Sequence, residues 1–114
     1  MAVASDGTNR PHTNGFLQES LRMAEDRIRR RVTVHGRVQG VAFRASLRQR
    51  ADAHRVDGWA SNRSDGGVEA VFEGRPDDVG RLVRYSETGP RHAEVECVDV
   101  RKEEPEGLTG FEIR

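Results

Sequence analysis

Val34-His35-Gly36-Arg37-Val38-Gln39-Gly40-Val41-Ala42-Phe43-Arg44 is the stretch on which the reading of this chain turns. It ends an alternating, β-branched run, Arg31-Val32-Thr33-Val34-His35, and opens a stretch from Ala42 to Arg55 that holds neither proline nor glycine. A period of two with β-branched residues predicts a strand that stops at Gly36. Beyond the loop, Phe43, Leu47 and Ala51 recur every fourth residue, which predicts an amphipathic helix with arginines on much of its other face. The chain therefore begins its fold as strand, glycine-containing loop and helix.

Downstream, the same periodicities supply the remaining elements. Val56 to Asn62 reads as a second strand, and Val68, Ala70 and Phe72 alternate with Glu69, Val71 and Glu73 in a third. Between them, Arg63-Ser64-Asp65-Gly66-Gly67 carries the Asp-Gly signal of a tight hairpin. Pro76, Asp77 and Asp78 open a second helix, since proline is tolerated in a first turn and carboxylates complement the positive end of the helix dipole. Its buried stripe is expected at Val79, Leu82, Val83 and Ser86, and Thr88-Gly89-Pro90 stops it. Ala93 to Val100 is a fourth strand whose apolar parity changes between Cys97 and Val98, as at a bulge or in a strand covered on both faces. Phe111-Glu112-Ile113 is a short last strand. The order β-α-β-β-α-β with an added terminal strand predicts the α+β class, a ferredoxin-like two-layer sandwich with two helices on one face of an antiparallel sheet.

Composition bounds the rest. With 114 residues, 34% of them hydrophobic, the chain has material for one modest core, expected over residues 27–114. Residues 1–26 are rich in polar residues and lack a sustained period, so they read as a disordered extension. Gln18 to Glu25 could form a helical turn only against a surface, and Met23 is a candidate physiological start. No apolar run approaches the roughly 18 residues of a spanning helix, and Met1 to Arg10 is not a secretory signal. A soluble cytoplasmic protein is expected. Cys97 has no partner in the chain, and His12, His35, His54 and His92 lack zinc-ligand spacing, so neither a disulfide nor a metal site is expected.

The 19 basic residues balance the 19 acidic ones, but unevenly along the chain. From Arg27 to Arg55 there are nine arginines and one acid, Asp52. The planar guanidinium fork matches phosphate oxygens, so this segment suits a phosphate of some kind. The loop Gly36 to Val41 delivers the chain to the N-terminus of the arginine-rich helix, where main-chain N–H groups lack partners inside the helix and sit at the positive end of its dipole. Gly36 and Gly40 permit the positive φ that curls such groups into an anion nest, and Arg44 in the first helical turn adds a charged fork. No Gly-Lys-Ser/Thr follows, and the loop is not Gly-x-Gly-x-x-Gly, which disfavours nucleotide hydrolysis.

The motif from Val34 to Arg44 resembles the first signature of the acylphosphatases, and Gly58-Trp59-Ala60-Ser61-Asn62 with Gly66, Val68 and Gly74 resembles the second. The ending Thr109-Gly110-Phe111-Glu112-Ile113-Arg114 is similar to the family's C-terminus, so the resemblance runs from about Val32 to Arg114. It implies hydrolysis of an acyl phosphate, a small-molecule substrate, to a carboxylate and inorganic phosphate by a monomer without metal or organic cofactor. By the family pattern, Arg44 and the main-chain N–H groups of Gln39, Gly40, Val41, Ala42 and Phe43 hold the phosphoryl group, and Asn62 positions the attacking water. Ser61 departs from the Lys, Arg or Gln often found there; strand alternation turns it away from Asn62, so packing or stability is where it is expected to act. The domain also resembles the carbamoyl-phosphate module found within much longer hydrogenase maturation factors.

An RNA-binding module on the same fold would display aromatic residues for stacking, but aromatics are 5% of the chain and the early strands hold only Trp59 and Phe72, so no nucleic-acid partner is expected. His35, His54 and His92 read as surface or strand-end residues without partners. Cys97 reads as a small buried hydrophobe, Trp59 as a packing residue, and Arg27 to Arg31 as a solvated lead-in.

Overall fold

The computed structural model describes residues 26–114; the expectations placed on the N-terminal extension, on Gln18–Glu25 and on Met23 fall on residues outside these. The elements are β1 (Ile28–Arg37), α1 (Phe43–Ala53), β2 (Asp57–Asn62), β3 (Val68–Gly74), α2 (Pro76–Ser86), β4 (Glu94–Glu103) and β5 (Phe111–Ile113). They form the expected ferredoxin-like sandwich, with the sheet in the order β4-β1-β3-β2-β5. Every neighbouring pair is antiparallel except β2 and β5, which run parallel and make the sheet mixed.

One face of this sheet meets the helices. Val32 and Val34 of β1, Ala60 of β2 and Val68, Ala70 and Phe72 of β3 are buried against Phe43, Leu47 and Ala51 of α1 and Val79 and Leu82 of α2. Phe111 of β5 stacks on Phe72 with ring centroids 6.0 Å apart. The stripe read on α2 holds, with Val83 only half-buried; Ser86 is buried with its hydroxyl donating to the Leu82 carbonyl at 2.9 Å.

The other face overturns the expectation of a solvated lead-in. Arg29 is 2% exposed and lies inside β1, paired in register with Glu73 of β3 and Glu103 of β4. Its Nη1 donates to Glu73 Oε2 at 2.6 Å and its Nε to Glu103 Oε1 at 2.8 Å. Arg31 bridges Glu103 and Glu69, at 2.8 and 2.6 Å, and its guanidinium lies 5.4 Å from the Trp59 ring, which Arg114 approaches at 4.6 Å. An arginine run can enter a strand because three glutamates from two neighbouring strands meet it. The strand consequently starts before the point where apolar alternation begins, which is why hydrophobic periodicity alone truncates it.

The parity change of β4 is a bulge, placed one residue earlier than expected. His35 pairs with Cys97 and Gly36 with Val95, so Glu96 is the extra residue. Gly36 takes φ 127°, and a Cβ there would lie 2.2 Å from the Glu94 carbonyl oxygen, so glycine is required at this crossing. The bulge turns Val95 and Val98 toward the helices and Cys97 outward. Cys97 is exposed rather than buried, because β4 is an edge strand and this face has no layer over it.

The Arg31 and Arg29 guanidiniums hold the Glu103 carboxyl down at about 2. Burial pushes Glu73 up, but the Glu106 N–H, Arg29 and the Leu108 N–H together outweigh it and keep the carboxyl below the ordinary glutamate range. A lowered folded-state value means stability that is complete above the ordinary value of about 4.5 and is lost as pH falls toward the folded-state one. Thermal melts of wild type and Glu103→Gln are therefore expected to differ at pH 7 and to converge between pH 4.5 and about 2. A gap that stays constant down to pH 2 would show that the ion pairs of Glu103 contribute nothing to folding.

Candidate active site

The loop after β1, the first turn of α1, the end of β2 and the end of β5 meet around a pocket of about 170 Å3. Gly40, Ala42, Phe43, Arg44 and Asn62 line it, so five of the residues read from the sequence come together. Val38, Ala45 and Ile113 complete the wall. Gln39 and Val41 belong to the same loop without lining the pocket, and the Phe43 ring is buried in the core, leaving only its main chain facing the site.

The backbone of this loop is bent by more than its glycines. Gly40 has φ 77°, and a Cβ there would meet nothing within 4 Å, so the requirement is conformational rather than steric. Ala42 also lies in the left-handed region, at φ 62° and ψ 31°, at a cost of about 1 kcal/mol for a residue with a Cβ. Sequence reading assigned the positive φ to Gly36 and Gly40 alone. Because Ala42 is the residue before the helix, its side chain offers no acceptor to cap it, and the first turn contains no acidic residue. The contrast with α2, whose first turn carries Asp77 and Asp78, is direct.

The first hydrogen bond of α1 runs from the Ser46 N–H to the Ala42 carbonyl at 3.0 Å. Among the described residues, no protein acceptor meets the main-chain N–H groups of residues 39–45. Unpaired N–H groups at the uncapped positive end of a helix form a site for an anion. Arg44, half-buried, stands among them, and its Nη1 donates to the Arg114 main-chain oxygen at 2.8 Å. That bond ties the guanidinium to the end of β5. Across the pocket, the Asn62 amide is exposed and makes no side-chain hydrogen bond to another described residue.

Sequence reading missed the work of one side chain. The Gln39 Nε2 donates to the carbonyls of Arg63 and Gly67, at 2.7 and 2.8 Å, and so straps the loop to the β2–β3 hairpin directly after Asn62. The Asp65 carboxylate accepts from the Gly67 N–H at 3.0 Å and stiffens the same hairpin. A long amide between two loop glycines was the only hint of such a strap.

The nine-arginine segment does not act as one patch. Arg27, Arg29, Arg31 and Arg37 face Asp57, Glu73, Glu103, Glu69 and Glu94. Of the others, Arg44 alone lines the pocket. His35, read as unpartnered, has its Nε2 3.2 Å from Asp99 Oδ2 across the β1–β4 edge. Among the described residues no group of three or more His, Cys, Asp or Glu could hold a metal, and no helix is long and apolar enough to cross a membrane.

Comparison with known proteins adds a separate line of evidence. The acylphosphatase family model matches residues 30–113. An acylphosphatase of Natronomonas pharaonis is 52% identical over 89 residues, which cover 78% of this chain and 97% of that one. The structure of an acylphosphatase from Coxiella burnetii superposes with a TM-score of 0.77 at 35% identity, over 81% of this chain and 97% of that one. Full-length HypF in its phosphate- and nucleotide-bound form also matches, with a TM-score of 0.72 at 26% identity, over 77% of this chain and 12% of that much longer one.

Proposed function

Because the chain belongs to the acylphosphatase family and hydrolyses acyl phosphates, we propose that the reaction takes place in the pocket between the loop, α1 and Asn62. The observation that carries this assignment is the set of N–H groups of residues 39–45 that find no acceptor among the described residues, at an uncapped helix N-terminus beside Arg44. The N–H groups of Gln39 to Phe43 and the Arg44 guanidinium bind the phosphoryl oxygens. Phosphoryl transfer asks for placement and for stabilisation of charge on those oxygens, which such groups provide without rearranging. The Asn62 amide offers both an acceptor and donors and does not titrate, so it can orient a water over a wide pH range.

In this scheme water attacks phosphorus, the bond from phosphorus to the acyl oxygen breaks, and the carboxylate leaves with the electron pair. A carboxylate is a weak base and needs no strong general acid. The proton lost by water passes to an oxygen of the phosphoryl group. Every group comes from one chain, which supports action as a monomer, and the exposed thiol of Cys97 suits the reducing cytoplasm.

The test is hydrolysis of benzoyl phosphate in the presence of a chelator. Asn62→Ala is expected to lower kcat by about 10²-fold or more while inhibition by inorganic phosphate stays nearly unchanged, since Asn62 places water and does not hold the anion. A loss below tenfold, or an equal loss of phosphate inhibition, would remove Asn62 from this role.

A further inference from the structure

A second concavity, of about 420 Å3, lies between the C-terminal half of α1 and α2 and is lined by Arg50, His54, Arg81, Leu82, Arg84 and Tyr85. A helix rises about 1.5 Å per residue, so this cleft begins roughly 9 Å along α1 from Arg44 and is separate from the catalytic pocket. Three arginines are among its lining residues. Only Arg81 has a carboxylate within 4.0 Å among the described residues, Asp78 at 3.0 Å, whereas Arg50 and Arg84 have none. On the open face of the sheet Arg29 and Arg31 are matched by Glu73, Glu103 and Glu69, whereas two of the three arginines of this cleft have no such partner among the described residues. Like charges gathered in a concave site raise the local concentration of anions.

The arrangement is also partly ordered in advance. The Arg50 guanidinium lies 4.1 Å from the centre of the Tyr85 ring, which holds its plane in a cation–π contact. Arg81 and Arg84 stand three residues apart and so project from neighbouring positions of one helical face. Arginines therefore line the cleft from both helices. A chain of two or three phosphoryl groups carries more charge and more acceptor oxygens than a single phosphate and so can engage arginines of both helices at once. The Tyr85 ring is already covered by Arg50, which leaves the small His54 imidazole as the only other ring in the lining for a nucleobase to stack on.

We propose that the cleft between α1 and α2 binds a small oligophosphate anion at a site distinct from the catalytic pocket. The probe is inorganic tripolyphosphate, titrated calorimetrically into the full chain against orthophosphate and a short single-stranded RNA. Two binding events are expected for tripolyphosphate. The one at the cleft should weaken about tenfold or more in Arg50→Gln/Arg84→Gln, because each arginine supplies a charge-assisted bond, and benzoyl phosphate turnover should stay at the wild-type level. Arg84→Glu alone, at an exposed position, gives the same reading if the double variant does not fold. The event is identified by these variants and stands whether or not Arg44 holds the catalytic anion. Three results would each overturn the proposal: tripolyphosphate binding indifferent to both variants, orthophosphate filling the cleft as tightly as tripolyphosphate, or RNA displacing tripolyphosphate at lower concentration.

Discussion

Arg44→Ala is expected to lower the turnover of benzoyl phosphate by at least about 10³-fold, the scale of losing a transition-state arginine in phosphoryl transfer. Arg44 is the only one of the nine clustered arginines that lines the catalytic pocket, so no neighbour can substitute for it. Its Nη1 is held by the Arg114 main-chain oxygen at 2.8 Å, which leaves its remaining donors for the phosphoryl oxygens. The loop N–H groups remain in the variant, so weak binding of inorganic phosphate should survive. Arg44→Lys separates charge from geometry: a point charge cannot both donate to Arg114 and present a fork, so most of the loss should persist. Steady-state kinetics at saturating substrate decide the matter, and a loss below tenfold would take Arg44 out of the proposed chemistry.

The largest effect on stability is expected from Glu73→Ala. The Glu73 carboxylate is fully buried and accepts from Arg29 at 2.6 Å and from the main-chain N–H groups of Glu106, Gly107 and Leu108 at 2.8, 3.1 and 3.0 Å. Removing it leaves one buried cation half-partnered and three N–H groups without their acceptor. Breaking a buried pair from one side costs about 3–5 kcal/mol, a large share of the roughly 5–15 kcal/mol that holds a domain folded. For a domain of this size the melting temperature should drop by at least about 12 °C. The same carboxylate anchors the segment that returns the chain to β5, aided by Asp57, whose Oδ1 accepts from the Gly110 N–H at 2.8 Å. Since β5 brings Ile113 to the pocket and Arg114 to Arg44, turnover is expected to fall even at temperatures where the variant is folded. A melting temperature within 4 °C of wild type would mean that water or neighbouring groups replace the carboxylate without cost, and would overturn this account.

Much of the fold was legible because its signals are local. Phe43, Leu47 and Ala51 state a helix face within eleven residues, Asp65-Gly66 states a turn, and Asp77 and Asp78 beside Pro76 state a helix start; each depends only on neighbours along the chain. The site was legible for a related reason. A loop that must offer bare N–H groups to an anion has to be built from residues that tolerate a left-handed backbone, and Gly40 announces that requirement in one dimension, whereas Gly36 lies within β1 and serves the crossing with β4. Arg44 and Asn62 were readable through motifs, and the fold brings them to one pocket although eighteen residues separate them.

What the sequence by itself determined is therefore the order of elements, the face each helix buries, the positive φ at Gly40 and the family. Only the tertiary structure decided which charges are spent on one another. Arg29 and Arg31 look in the sequence like Arg44 and Arg50, members of one basic run, yet Glu73 and Glu103 consume the first pair, while among the described residues no acid pairs with the second. It also decided that Cys97 faces outward, that Gln39 reaches the hairpin and that β5 lies parallel to β2. Periodicity reports which side of an element avoids water. Ion pairs and straps are formed between residues far apart in the chain, and their partners are chosen by strand order and register, which exist only once the chain has closed on itself.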